Sequence, residues 1–143
     1  MGEACDRPLA RGLDKVIDPE SLEQIETHVA RIAGPAFAVD LHGLVVAWNP
    51  WADALFGMSA TEAVGRPCAI VVRGADHTGQ VLCRAGCPWL PIAGCAIRAD
   101  VPMLVRRGPR PSARVEVVMR HRALRDRLGR PVAVLHTARR EAA

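Results

Sequence analysis

The sequence predicts an α+β domain in which one five-stranded antiparallel sheet carries its helices on one face, preceded by an N-terminal amphipathic helix. Three observations carry that prediction. The chain has 143 residues, 50% of them hydrophobic, enough for one domain with a buried core. Its apolar residues recur at helical spacing near the N-terminus and alternate in the last third. Glycine and proline punctuate the rest into short segments, with two strands early and three late.

Residues 1–17 show no periodicity and read as a flexible leader. At Asp18-Pro19-Glu20 the signal changes, because Asp can N-cap, Pro suits the first helical position and Glu favours the positive end of the helix dipole. Leu22, Ile25, Val29 and Ile32 then form one narrow apolar stripe, so a helix is expected over 18–33, ended by Gly34-Pro35. Such a stripe seams two helices together or lays one helix against a sheet. A homodimer joined through these four residues is the expectation.

Strands are expected over 36–41 and 44–49, joined at His42-Gly43, where a glycine can take positive φ. Pro50 to Gly57 reads as a short helix with Trp51, Leu55 and Phe56 as its apolar members, and Trp48 and Trp51 as a core pair. Ser59-Ala60-Thr61-Glu62 fits a capping box, opening another helical turn. Cys68 to Val72 is an apolar run leading into a loop over 74–82, and a helix is expected from Pro88 to about Arg98. Three strands follow, over 101–107, 114–122 and 131–139, separated by Gly108-Pro109-Arg110-Pro111 and Asp126-Arg127-Leu128-Gly129. Within the second, Val115, Val117, Met119 and His121 alternate onto one face and Arg114, Glu116, Arg120 and Arg122 onto the other.

The residues of the early strands and of the last hairpin resemble a known family. Phe37-Ala38-Val39-Asp40-Leu41-His42-Gly43-Leu44-Val45-Val46-Ala47-Trp48-Asn49, then Ala52-Asp53-Ala54-Leu55-Phe56-Gly57 and Ser59 to Cys68, resemble the opening of a PAS domain, and 126–135 resemble its closing hairpin. The resemblance covers 34–140. It implies a five-stranded sheet, a helical face enclosing a small pocket behind Phe37, Val39 and Trp48, and a sensory or dimerising role. Fold alone leaves the ligand open.

The net charge of +4 hides an asymmetry: residues 1–100 hold 8 basic and 12 acidic side chains, residues 101–143 hold 11 arginines and 3 acids. These arginines read as a solvated strand face that could meet an acidic partner. Aromatics are only 3% with no Tyr, poor material for stacking bases, so direct nucleic-acid binding is not expected. No stretch approaches the roughly 20 apolar residues of a membrane span, and the N-terminus lacks the apolar run of a signal peptide. The expected compartment is the cytoplasm, with no membrane partner. There is no G-x-S-x-G, P-loop, H-E-x-x-H or G-x-G-x-x-G, and the chain is not read as an enzyme.

The distinctive motif is cysteine-based. Cys68, Cys83, Cys87 and Cys95 are spaced C-x14-C-x3-C-x7-C. Gly65-Arg66-Pro67-Cys68, Gly74-Ala75-Asp76 and Cys83 to Pro88 resemble a subset of PAS domains found ahead of DNA-binding output modules. Thiolates from a loop pair and a second element suit zinc or an iron–sulfur cluster; reduced or disulfide-forming thiols and plain packing are the alternatives. Cys95 lies eight positions beyond Cys87, about 12 Å along a continuous helix, too far to share one zinc. His77, Asp76 or a non-protein ligand are the alternative fourth ligands. Gly65 to Cys68 also resembles the flavin-adduct motif of light-oxygen-voltage sensors, but the ring-binding Asn and Gln set is lacking, so flavin is not expected. Neither is haem, because His121 and His136 fall in strands and His77 in a loop.

The expected function is therefore a PAS sensory module reading redox state or metal through Cys68, Cys83 and Cys87. It would signal by a change in dimer contacts or through an output domain or regulator partner. The alternative is an interaction module with structural cysteines or zinc.

Overall fold

Asp18 caps the first helix as expected, its carboxylate accepting from the Ser21 amide at 3.0 Å, with Pro19 in the first turn. In a computed structural model, which describes residues 17–83, 100–110 and 112–140, the chain runs α1 (Pro19–Arg31), β1 (Ala36–Asp40), β2 (Val45–Trp48), α2 (Pro50–Phe56), α3 (Ala60–Ala63), α4 (Cys68–Val72), β3 (Val101–Arg106), β4 (Arg114–Arg125) and β5 (Pro131–Arg139). All strand pairs are antiparallel, in the order β2-β1-β5-β4-β3. The expected helix over 88–98, with Cys87, Trp89 and Cys95, lies outside the described residues.

Period-2 alternation divides the sheet into two faces. One face carries Phe37, Val39, Val45, Trp48, Val115, Val117, Met119 and Ala138, which pack with α2, α3 and α4 into the main core. The opposite face carries Ala36, Ala38, Ala47, Ala133 and Leu135 against Ile25 and Val29 of α1. The short helices share one face as predicted, whereas α1 covers the other. Small alanines there let the α1 backbone come close to the sheet.

That arrangement corrects the expected use of the α1 stripe. Ile25 and Val29 are buried against the chain's own sheet, and Leu22 and Ile32 are half-buried at its margins. The stripe is spent within one protomer and is not free to seam two helices.

One further expectation changes. Trp51 is 56% exposed, while Trp48 is buried at 8%, so they are not a core pair. The buried side of α2 is Ala52, Leu55 and Phe56, and Trp51 stands about 100° round the helix from Ala52. Cys68 to Val72 is a helical turn, α4, closed by Arg73 at φ 52°.

Three turns share one construction, Asp-x-x-Gly-x. In Asp40-to-Leu44, Asp76-to-Gln80 and Asp126-to-Arg130 the Asp Oδ1 accepts the amides two and four residues on, at 2.8–3.0 Å. The Asp carbonyl accepts from the glycine amide at 3.0 Å in each. The glycines sit at φ 87°, 90° and 79°, which a side chain would strain. Hydrogen bonding, first from Thr78 at Asp76 and from the Arg130 amide at Asp126, holds both carboxyls below the usual carboxylate range.

Candidate functional site

Four side chains on the helix-covered face lie in register across four strands. Trp48 pairs with Phe37, Phe37 with His136, and His136 with His121. The rings touch in sequence. Phe37 and Trp48 centroids are 5.3 Å apart, Phe37 stacks on His136 at 4.6 Å, and His136 meets His121 edge to face at 4.6 Å. Phe56 of α2 closes over the apolar end, 5.8 Å from Phe37 and 5.2 Å from Trp48.

The row joins an apolar end to a polar end. Trp48 Nε1 donates to the Met58 carbonyl at 2.9 Å, which satisfies its buried N–H. His136 Nδ1 lies 3.2 Å from the Val134 carbonyl. Burial first, and then the neighbouring His121, push the His136 imidazole well below its usual pKa of 6.5, so it is neutral at pH 7. Phe37, Val39 and Trp48 are all buried in the main core. What residue patterning did not place among the pocket residues is the histidine pair. The alternation of β4 set His121 beside Met119, but only the strand order brings it against His136.

Asn49 ties this core to α1. It is 1% exposed. Its Nδ2 donates to the carbonyls of Val29, Ile32 and Gly34 at 3.2, 3.4 and 2.9 Å. Its Oδ1 accepts from Ala36 at 3.2 Å and from Ala52 at 2.9 Å, capping α2. One side chain therefore joins the end of α1, the start of β1 and the start of α2.

The cysteine motif is only partly within the described residues. Cys68 opens α4 and Cys83 ends the 74–83 loop; both are buried in the main core, at 3% and 8% exposure. The loop is closed at its base, with Leu82 and Cys83 amides donating to the Gly74 carbonyl at 2.8 and 3.0 Å. A Cβ on Gly74 would meet Cys83 Sγ at 2.6 Å and Met103 Sδ at 2.9 Å, so the absent side chain makes room for two sulfurs. His77 is exposed as the second residue of an Asp-x-x-Gly turn. The Asp76 carboxylate is engaged by Thr78 and Gln80. Among the described residues, no three His, Cys, Asp or Glu side chains are grouped to hold a metal ion. Cys87 and Cys95 lie outside them.

Residues 23–85 match the family model described as the PAS fold. No curated protein sequence matches the chain. Solved structures do. The chain is similar to the PAS domain of BvgS from Bordetella pertussis, with 13% identity, 85% of this chain and 86% of that one covered, and a TM-score of 0.55. It is similar to a PAS domain from Colwellia psychrerythraea, at 13% identity, 84% and 96% coverage and a TM-score of 0.57. It is also similar to a LOV protein of Rhodobacter sphaeroides, at 15% identity, 85% and 67% coverage and a TM-score of 0.59. With the sheet order, the helix-covered face and the match over 23–85 taken together, the chain has a PAS-like fold.

Proposed function

We propose that the chain is a cytoplasmic sensory module that reads redox state or a soft metal through Cys68, Cys83 and Cys87 and signals through α1. The observation that carries this reading is the burial of Cys68 and Cys83 in one core cluster, although the sequence holds them far apart. Cys87 follows Cys83 four positions on in the sequence. Zinc or an iron–sulfur cluster would take thiolates from these residues, release their protons, and fix the 74–83 loop and the chain beyond it. Gain or loss of that ligand would shift the domain between two states.

Asn49 offers the route outward, because a shift of β2 or α2 moves the side chain that holds three carbonyls at the end of α1. Homodimer or regulator contacts would then be made by the solvent side of α1, where Glu23, Gln24, Thr27 and His28 are exposed.

A second reading is an interaction module whose cysteines are structural. It is favoured by the exposed arginines of β4, Arg114, Arg120, Arg122 and Arg125, which suit an acidic partner. A metal that survives oxidants and never changes the oligomer would favour it over sensing.

The test is an absorption spectrum and metal analysis on protein purified without oxygen, beside a Cys83→Ser variant. Stoichiometric zinc, or iron with broad absorbance near about 400 nm, lost in the variant, is the expected result. Metal-free, colourless protein whose thiols do not respond to oxidants overturns it.

A further inference from the structure

We infer that the cleft between α2 and the C-terminal ends of β3 and β5 binds a small organic anion with a flat apolar body, an aryl carboxylate in chemical class. The cleft has a volume of about 280 Å³ and lies outside the aromatic–histidine row. Its floor is apolar: the exposed ring of Trp51, with Ala54 and Ala138. Arg107, Arg139 and Arg140 also line the cleft, and among the described residues no acidic side chain does.

The three arginines are not equivalent. Arg139 is held by Asp100 through a 2.9 Å ion pair. Among the described residues no carboxylate pairs with Arg107 or Arg140. Two arginines that no carboxylate among the described residues neutralises therefore line the cleft beside its apolar floor, a composition that can receive a planar carboxylate bidentately while its body stacks on an indole. It also accounts for Trp51, a large aromatic that the helix leaves 56% exposed. A phosphate alone would use the arginines and leave the floor wet, so the apolar body is part of the inference. The volume admits a bicyclic ring system and little more.

The experiment is a calorimetric titration of the whole chain with 2-naphthoate and, separately, with its neutral isostere 2-naphthamide. One naphthoate per chain is expected, with the amide about tenfold weaker, since charge-assisted hydrogen bonds are roughly twice as strong as neutral ones. Arg107→Gln and Arg140→Gln should each weaken naphthoate about fivefold, and Trp51→Ala at least as much. All three positions are exposed, so melting temperatures should stay at the wild-type value and report a folded protein. Equal binding of acid and amide overturns the inference, as does wild-type affinity in the arginine variants. Unchanged binding in Trp51→Ala places the ligand elsewhere and overturns it too, as does failure to saturate by about 10 mM.

Discussion

His121 and His136 face each other edge to face across β4 and β5, ring centroids 4.6 Å apart, two bases buried where only one row of aromatic side chains would be expected. Phe37 covers the other side of His136 by stacking. A proton added to His136 enters a space already closed to water.

Stability should therefore fall in mild acid. The folded-state pKa of His136 lies below its ordinary 6.5 because of burial and then His121. The unfolded chain binds the proton first, so this contribution is complete above about pH 6.5 and is lost as pH drops toward the folded value. Thermal melts from about pH 8 to about pH 5 should show a falling midpoint. His136→Gln, which cannot charge, should flatten that slope; an equal slope in the variant would remove His136 as its cause.

Asn49→Asp separates the two jobs of Asn49. The retained oxygen still caps α2 through Ala52, while an oxygen replaces the amide that faces the Val29, Ile32 and Gly34 carbonyls. Placing acceptor against acceptor in a buried site should cost about 3 kcal/mol. Amide exchange should quicken in α1 before it quickens in α2. Uniform exchange across both helices would mean that Asn49 does not couple them selectively.

Glycine substitutions should rank by what a Cβ meets. At Gly57 it would lie 2.5 Å from the Gly108 backbone at φ +69°, where nothing can give, so Gly57→Ala should cost at least about 3 kcal/mol. At Gly129 the same alanine points into open space at φ +79° and should cost only the left-handed strain, about 1 kcal/mol. Chemical denaturation of the two variants gives the comparison directly, and similar values would show that the Gly57–Gly108 contact relaxes.

The two tryptophans should behave oppositely. Trp48→Ala removes a ring packed on Phe37 and Phe56 and should cost about 4 kcal/mol. Trp51→Ala should stay within about 0.5 kcal/mol in the absence of ligand. A large loss at Trp51 would return it to the core.

Which parts of this were legible in sequence follows from the range of the interactions. Caps and turns were, because Asp18 and Ser59 accept from amides three residues on and Gly57 supplies the left-handed C-cap of α2, its own amide donating to the Asp53 carbonyl. Strand faces were too, since alternation in 114–122 states which side chains share a side. The histidine pair was not, because β5 lies between β1 and β4 only in the assembled sheet. The α1 stripe was ambiguous in kind: Ile25 and Val29 demand an apolar surface, and spacing cannot say whether a sheet or a second helix supplies it. Trp51 misled because its size outweighed its phase on the helix. The common Asp-x-x-Gly-x turn could have been read from Asp40, Asp76 and Asp126 together, and would have claimed Asp76 for the backbone before any metal.

The strand order also dictates a timetable. β1 takes β5 as its second neighbour, with Ala36 opposite Thr137, so nearly the whole chain must leave the ribosome before the centre of the sheet exists. Until then the β1–β2 and β3–β4 hairpins are separate pieces, each with an open hydrogen-bonding edge along a strand destined for the middle. Contacts this distant along the chain slow folding. A nascent polypeptide stalled short of Pro131 carries every cysteine and both tryptophans of α2 and β2, yet lacks the strand that joins β1 to β4, so its halves meet only through contacts such as the Ala75–Leu104 bridge, and in the cell such a fragment is a client for chaperones or a seed for aggregation.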